Sequence, residues 1–275
     1  CLNLDIKDET TQTKPVATPK GGTKSTASVQ IPVKAKDIFA RYPSFITTPL
    51  LEVFKTTDNE KRLKAIDSVI DSLTAYLNLC FLQSCLFYAT ESEMLAKCVN
   101  ECIKQNLIGH SALRCLHNFA MAMKTVRGNP TFFTFPLSKI LCDSSDDNPL
   151  MMMRELKEYL KEPEEPLSET IPQAIDGLIE ILLGVRSISL NNIVMRSPAG
   201  AKEPYADLSG PSANILPVEK RPSVELPIGE AVVISKDGTE GFGLFPFFKY
   251  SKKKLIFAVP TPEELKLFND RLNGE

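Results

Sequence analysis

Tryptophan is absent from this chain of 275 residues, and histidine occurs only twice, as His110 and His117. Two histidines exclude a three-histidine metal site and a histidine-rich proton relay within one chain. No charge of one sign dominates either, because 32 lysine and arginine residues are balanced by 34 aspartate and glutamate residues. The formal net charge of -2 disfavours nucleic-acid binding through bulk charge, and we expect no nucleic-acid partner.

The remaining composition is that of an ordinary soluble globular protein. Hydrophobic residues make up 43% of the chain and charged residues 24%. The length suffices for one large domain or two modest ones with a sizeable core.

Cysteine is present in an odd number, and most of the cysteines lie in apolar segments with helical patterning. The odd total argues against a closed disulfide framework, and buried, reduced thiols favour a cytoplasmic location. The seven positions are Cys1, Cys80, Cys85, Cys98, Cys102, Cys115 and Cys142.

The first residue, Cys1, supports an alternative hypothesis about where the protein is located. A bacterial envelope lipoprotein has a cysteine at position one after its signal peptide is removed, followed by a polar tether, and Cys1 with residues 2–30 fits that description. Two hypotheses therefore stand: Cys1 is an arbitrary boundary before a linker, or it is a lipidation site that anchors the chain to an envelope membrane.

Four segments differ in pattern. Residues 1–34 predict a disordered tether, residues 35–196 a helical domain, and residues 197–227, with six prolines, a linker. Residues 228–275 predict a β-meander and a helix that pack on the helical domain. We therefore expect a mainly α fold, a bundle-like multi-helix domain with a small C-terminal antiparallel meander and a terminal helix.

The longest predicted helix runs to Ala89 and should be the central element of the core. A capping box of Thr57 and Glu60 indicates its start, and Leu73, Leu77 and Phe81 fall on its apolar face. We interpret it as a core helix and expect no membrane span. Another capping box, Thr170 with Gln173, predicts a further helix start. The start of the terminal helix is predicted from Thr261, Pro262 and Glu264, and its buried stripe should consist of Leu265, Phe268 and Leu272.

The C-terminal segment contains three β-prone runs, at 231–235, 244–250 and 255–259, separated by turn residues. Apolar side chains occupy consecutive positions there, so the predicted strands present them on both faces. Either the linker or the helix after Pro262 covers the second face, or a partner protein binds it. The interaction candidates are Phe245, Phe247, Phe248, Tyr250 and Phe257, supported by Leu244 and Ile256.

Five thiol and imidazole side chains lie close together in sequence. Buried packing is our main interpretation, because their spacing matches no compact zinc module and no catalytic signature surrounds them. A thiol- or metal-dependent enzyme is the second alternative. We expect no cofactor. The residues concerned are Cys98, Cys102, His110, Cys115 and His117.

Two stretches resemble a helical module of bacterial multidomain signalling and conflict proteins, which accompanies a separate effector or enzymatic domain. One comprises Tyr42-Pro43, an apolar helix, Thr57-Asp58 and Arg62-Leu63. The other is the Leu244-Phe248 strand with Leu255-Ile256-Phe257 after it. The resemblance implies a regulatory or scaffolding role without catalysis and supplies no catalytic residues.

These observations predict a non-enzymatic protein–protein interaction or regulatory module within a larger assembly. Its expected partners are another protein or other domains of the same polypeptide.

Overall fold

The structure is a computed structural model of the whole chain, and it is mainly helical, as the sequence predicts. It describes residues 31–88, 97, 110–126, 134–145, 148–185, 193–197, 205–208, 228–234, 241–252, 254–258 and 260–273. The helices of this described part are α1 (Val33–Arg41), α2 (Ser44–Lys55), α3 (Asn59–Tyr88), α4 (His110–Met123), α5 (Thr134–Leu141), α6 (Pro149–Lys161), α7 (Leu167–Gly184) and α8 (Pro262–Asn273).

Helix α3 is the central element of the core, as predicted. Leu73, Leu77 and Phe81 are fully buried, and α2, α4, α6 and α7 pack around the helix. Its cap is Asp58 and not Thr57: the Oδ1 atom of Asp58 accepts a hydrogen bond from the Lys61 amide at 3.2 Å. A carboxylate at this position satisfies an amide that the helix itself leaves unpaired.

The predicted helix start at Thr170 is wrong. Helix α7 begins at Leu167, directly after Pro166, and Thr170 lies inside its first turn. The Thr170 hydroxyl accepts a hydrogen bond from the Tyr159 hydroxyl at 2.8 Å and donates one to the Glu164 carbonyl at 2.9 Å. The threonine therefore ties α6 to the start of α7. The predicted start of α8 is confirmed, with the Thr261 and Glu264 backbone amides each bound by the other's side chain.

The described strands form two antiparallel sheets and not one meander. A four-stranded sheet has the order β2-β1-β3-β4, and β5 pairs with β6 in a hairpin. The strands are β1 (Ile193–Arg196), β2 (Tyr205–Asp207), β3 (Ala231–Ile234), β4 (Gly241–Gly243), β5 (Phe248–Ser251) and β6 (Lys254–Phe257).

Three of these strands lie outside the predicted β-prone runs, and β4 falls between the first two of those runs. Strand β1 lies at the end of the predicted helical range, and β2 lies in the range predicted as a linker. Because β1 pairs with β3, the helical part and the C-terminal part share one core, which includes Ile193, Met195 and Val233. The opposite face of this sheet carries a separate buried cluster of Val194, Val232 and Ile234.

Candidate functional site

The structure describes only part of the thiol and imidazole set. Cys1, Cys98 and Cys102 lie outside the described residues, as does the side chain of His110. In α4, Cys115 is fully buried in the core, whereas His117 is partly exposed. Burial, and secondly the charge of Arg154, lowers the pKa of His117. The two residues thus lie in different environments of one helix.

The other described thiols do not have the environment of a reactive nucleophile. Cys80 is fully buried in α3, and desolvation raises its pKa well above that of a free thiol. Burial also raises the pKa of the half-buried Cys142 thiol. Within the described ranges, no three histidine, cysteine, aspartate or glutamate side chains are grouped so that they could hold a metal ion.

Phe248, one of the interaction candidates, belongs to the core. Its side chain is 2% exposed, and its ring lies 4.6 Å from the ring of Phe45 and 5.9 Å from that of Tyr76, measured between centroids. Helices α2 and α3 therefore cover this aromatic ring, so Phe248 does not lie on the exposed face that the partner-binding alternative requires.

Phe247 is also buried, but its ring packs against the terminal helix. It precedes β5 in a turn, is 2% exposed, and packs edge-on against Phe268 of α8 with 5.8 Å between ring centroids. The terminal helix thus covers Phe247, which is one of the within-chain covers that the sequence allowed. The other candidates, Phe245, Tyr250 and Phe257, are partly buried.

Inward-facing and outward-facing side chains alternate along the β5–β6 hairpin. Strand β5 begins at Phe248 and not at Leu244, so side chains of odd and even positions separate onto two faces. The inner face carries Phe248, Tyr250, Leu255 and Phe257. The outer face carries Lys249, Ser251, Lys254 and Ile256.

A serine from α2 binds the outer edge of β6. The Ser44 hydroxyl, which is buried, donates to the Leu255 carbonyl at 2.7 Å and accepts from the Leu255 amide at 2.8 Å. Because both backbone groups of Leu255 are satisfied within the chain, this position of the edge does not pair with an added strand.

Three exposed apolar side chains lie on the hairpin and α8, and we call them the C-terminal surface. Ile256 is 39% exposed, Leu265 38% and Leu267 46%. Leu265 was expected in the buried stripe of α8 with Phe268, and this is wrong for Leu265. An ion pair of 2.6 Å between Lys249 Nζ and Glu264 Oε1 joins the outer face of the hairpin to α8.

A groove between α3 and α6 is the feature that sequence reasoning missed. Its volume is about 480 Å³. In it, the Nζ atom of Lys157 lies 2.5 Å from Asp67 Oδ1 and 2.6 Å from Asp71 Oδ1. The Lys157 side chain is only 9% exposed, against 44% for Asp67 and 24% for Asp71. The lining residues are Glu60, Leu63, Lys64, Asp67, Asp71, Lys157, Leu160 and Lys161.

A sequence signal for this groove does exist. Lys157 follows Leu150 and Met153 at helical spacing, so a lysine occupies a position of the apolar stripe of α6. Asp67 and Asp71 are four residues apart on α3 and therefore share a face of that helix. What the sequence did not provide is that these two faces oppose each other.

One ammonium group cannot neutralise two carboxylates, so the cluster of Lys157, Asp67 and Asp71 retains one negative charge. Its buried lysine is held by a charge-assisted hydrogen bond to Asp67 and an ion pair with Asp71, which fix α6 against α3. Removing Lys157 would leave two partly buried carboxylates without their counter-charge, which is strongly destabilising, whereas removing one aspartate leaves a neutral pair.

No protein-family model, curated protein or solved structure matches the chain. One helix in the described part, Asn59–Cys85, is long and apolar enough to cross a membrane, and 83% of its apolar window is buried inside the protein. Core helices of soluble proteins have the same length and composition.

Proposed function

We propose that this chain is a non-enzymatic protein–protein interaction module of a larger assembly, and that its C-terminal surface binds the partner. The observation that carries the proposal is the exposure of Ile256, Leu265 and Leu267 on two elements that an ion pair holds together. Single exposed apolar side chains are common on protein surfaces, and Leu265 and Leu267, two residues apart, lie on different sides of α8. The proposed apolar centre is therefore Ile256 together with one side of α8.

The charges around this surface indicate the chemistry of the partner. Lys252, Lys254 and Lys266 are exposed on the hairpin and on α8, against one exposed carboxylate among the described residues there, Glu263, while Glu264 already binds Lys249. A complementary partner surface has apolar side chains at its centre and acidic side chains at its edge. Such charges mainly accelerate association and select the partner, while the apolar centre supplies most of the affinity.

The rigidity of the support favours binding without rearrangement. On the inner face of the hairpin, Phe248 is fixed by the aromatic rings of α2 and α3, and Ser44 holds the backbone of Leu255. A preorganised surface loses less conformational freedom on association.

The test compares the wild-type chain with the double variant Ile256→Ser/Leu265→Ser in affinity purification from the native source. A protein retained by the wild type is then purified, and its dissociation constant is measured for both chains. We expect about a tenfold or greater weakening, the usual size for loss of buried apolar contacts in an interface.

Val33→Ser is the matched control, because Val33 is 80% exposed and lies on α1 and not on the C-terminal surface. This variant should bind like the wild type. The proposal fails if the partner binds the double variant and the wild type with equal affinity while both remain folded.

The absence of catalysis and a cytoplasmic location are part of the same proposal. The lipid-anchored alternative depends on Cys1, and the enzyme alternative depends on Cys98, Cys102 and His110 together with Cys115 and His117. Mass spectrometry of the native N-terminus tests the first, through an acyl group on Cys1. Bound-metal analysis and thiol labelling test the second.

A further inference from the structure

We infer that the groove between α3 and α6 is a binding site for an alkylammonium group, such as the end of a lysine side chain. The inference does not depend on the C-terminal surface. It rests on the shape of the groove, on the charge left over by its buried lysine, and on the pairing of the lysine at its rim.

The shape suits a ligand with an aliphatic stem. The volume of about 480 Å³ lies within the range of small-molecule sites. Leu63 and Leu160 supply apolar walls, and Leu63 lies about one helical turn before Asp67 on α3. A methylene chain can therefore lie along the leucines while its charged end reaches Asp67.

The charge favours a cation. Lys157 is shared by Asp67 and Asp71, so the group has a net charge of one negative unit. Asp67 is the more exposed of the two carboxylates, and each carboxylate has capacity for further donors. An incoming ammonium group can bind Asp67 without displacing Lys157.

Two further lysines, Lys64 and Lys161, line the groove, and their charges have to be considered because they could offset this negative charge. Lys161 lies 2.8 Å from both carboxylate oxygens of Glu158, a residue outside the groove lining. The charge of Lys161 is thus already paired. Lys64 and Glu60 both line the groove, and their opposite charges cancel in the sum over the groove although no ion pair joins these two described residues.

The experiment titrates the full chain at pH 7 with three probes of equal chain length: n-pentylamine, 1-pentanol and pentanoate. Amide chemical shifts of α3 and α6 report binding. The amine should bind most tightly and should perturb residues 60–71 and 157–161. If the alcohol binds as tightly, the groove recognises only apolar chains, and if pentanoate binds most tightly, its lysines dominate; either result overturns the inference.

Variants assign the binding to the proposed carboxylate. Asp67→Asn should weaken amine binding about tenfold, the value of one charge-assisted hydrogen bond. Glu155→Gln, an exposed carboxylate of α6 outside the groove, is the matched control and should change nothing. Equal affinity of Asp67→Asn and the wild type contradicts the inference.

A further variant does not touch the buried cluster. Glu158→Gln removes the partner of Lys161, whose charge then faces the groove and should weaken amine binding. Glu158 is 67% exposed, so this change does not threaten folding. A short peptide with a central lysine, compared with its norleucine analogue, tells whether the groove takes a protein side chain or only a free amine.

Discussion

The two faces of the β5–β6 hairpin contrast sharply although they are built from the same eight residues. Phe248 on the inner face is 2% exposed and lies in an aromatic cluster with Phe45 and Tyr76. Ile256 on the outer face is 39% exposed beside lysines. The contrast teaches that aromatic content alone does not identify an interface, because the strand period decides which residues enter the core.

The largest effect is expected on the inner face. Phe248→Ala removes an aromatic ring that contacts Phe45, Tyr76 and Phe257, and should lower the free energy of unfolding by about 3–5 kcal/mol. Denaturant titration followed by circular dichroism measures this change. Ile256→Ala on the outer face should lower the free energy of unfolding by less than about 1 kcal/mol. Similar losses for Phe248→Ala and Ile256→Ala would contradict the distinction between the two faces.

The edge of the hairpin should show the next largest effect. Ser44→Ala leaves the amide and carbonyl groups of Leu255 buried without their hydroxyl partner, so we expect a loss of about 2–3 kcal/mol. Ser72→Ala is the control, because the Ser72 hydroxyl only donates to the Ser68 carbonyl within the same helix. The same denaturation assay should give less than about 1 kcal/mol for the control; equal losses would mean that Ser44 does not hold the strand.

The ion pair that joins the two elements predicts a pH effect. The hydrogen bond from Lys249, followed by that from the Thr261 amide, lowers the pKa of Glu264 below its ordinary value. A lowered folded-state pKa gives stability that is present above the unfolded-state value of about 4.3 and is lost as the pH falls through the folded-state value.

Glu264→Gln isolates this contribution, because a glutamine can still accept the Thr261 hydrogen bond while the charge is removed. As the pH falls from about 5 through the lowered pKa of Glu264, the melting temperature of the variant should therefore decrease less than that of the wild type. Thermal melting of both proteins over that pH range measures the difference. Parallel curves for the two proteins would show that the ion pair adds no stability.

The smallest effect on stability is expected for the C-terminal surface. Ile256→Ser/Leu265→Ser should change the free energy of unfolding by less than about 1 kcal/mol, because both side chains already contact solvent. Calorimetry or denaturant titration measures the change. A loss as large as that of Phe248→Ala would place these residues in the core and not at an interface.

Local patterns predicted much of the helical part. The apolar period of α3 identifies Leu73, Leu77 and Phe81 as core, and the capping box at Thr261 identifies the start of α8. The Thr170 pattern failed because the helix had already begun after Pro166. A capping box shows that a helix can start at a residue but not that one does.

The remaining features depend on contacts between distant segments. Strand β1 is defined by its pairing with β2 and β3, which its own four residues do not reveal. Burial of Phe247 depends on Phe268 of α8, and the groove depends on how α3 meets α6. Such pairings between distant segments are not encoded in the period of either segment alone.

Photo-crosslinking in the native cell tests the central claim most directly. A photoreactive residue is placed at Ile256, Leu265 or, as a control, Val33. We predict one discrete adduct from positions 256 and 265 and none from position 33, with loss of the adduct when Lys252 and Lys254 are changed to glutamate. Absence of an adduct at both surface positions, or the same adduct from position 33, would contradict the assignment of the C-terminal surface as the partner-binding site.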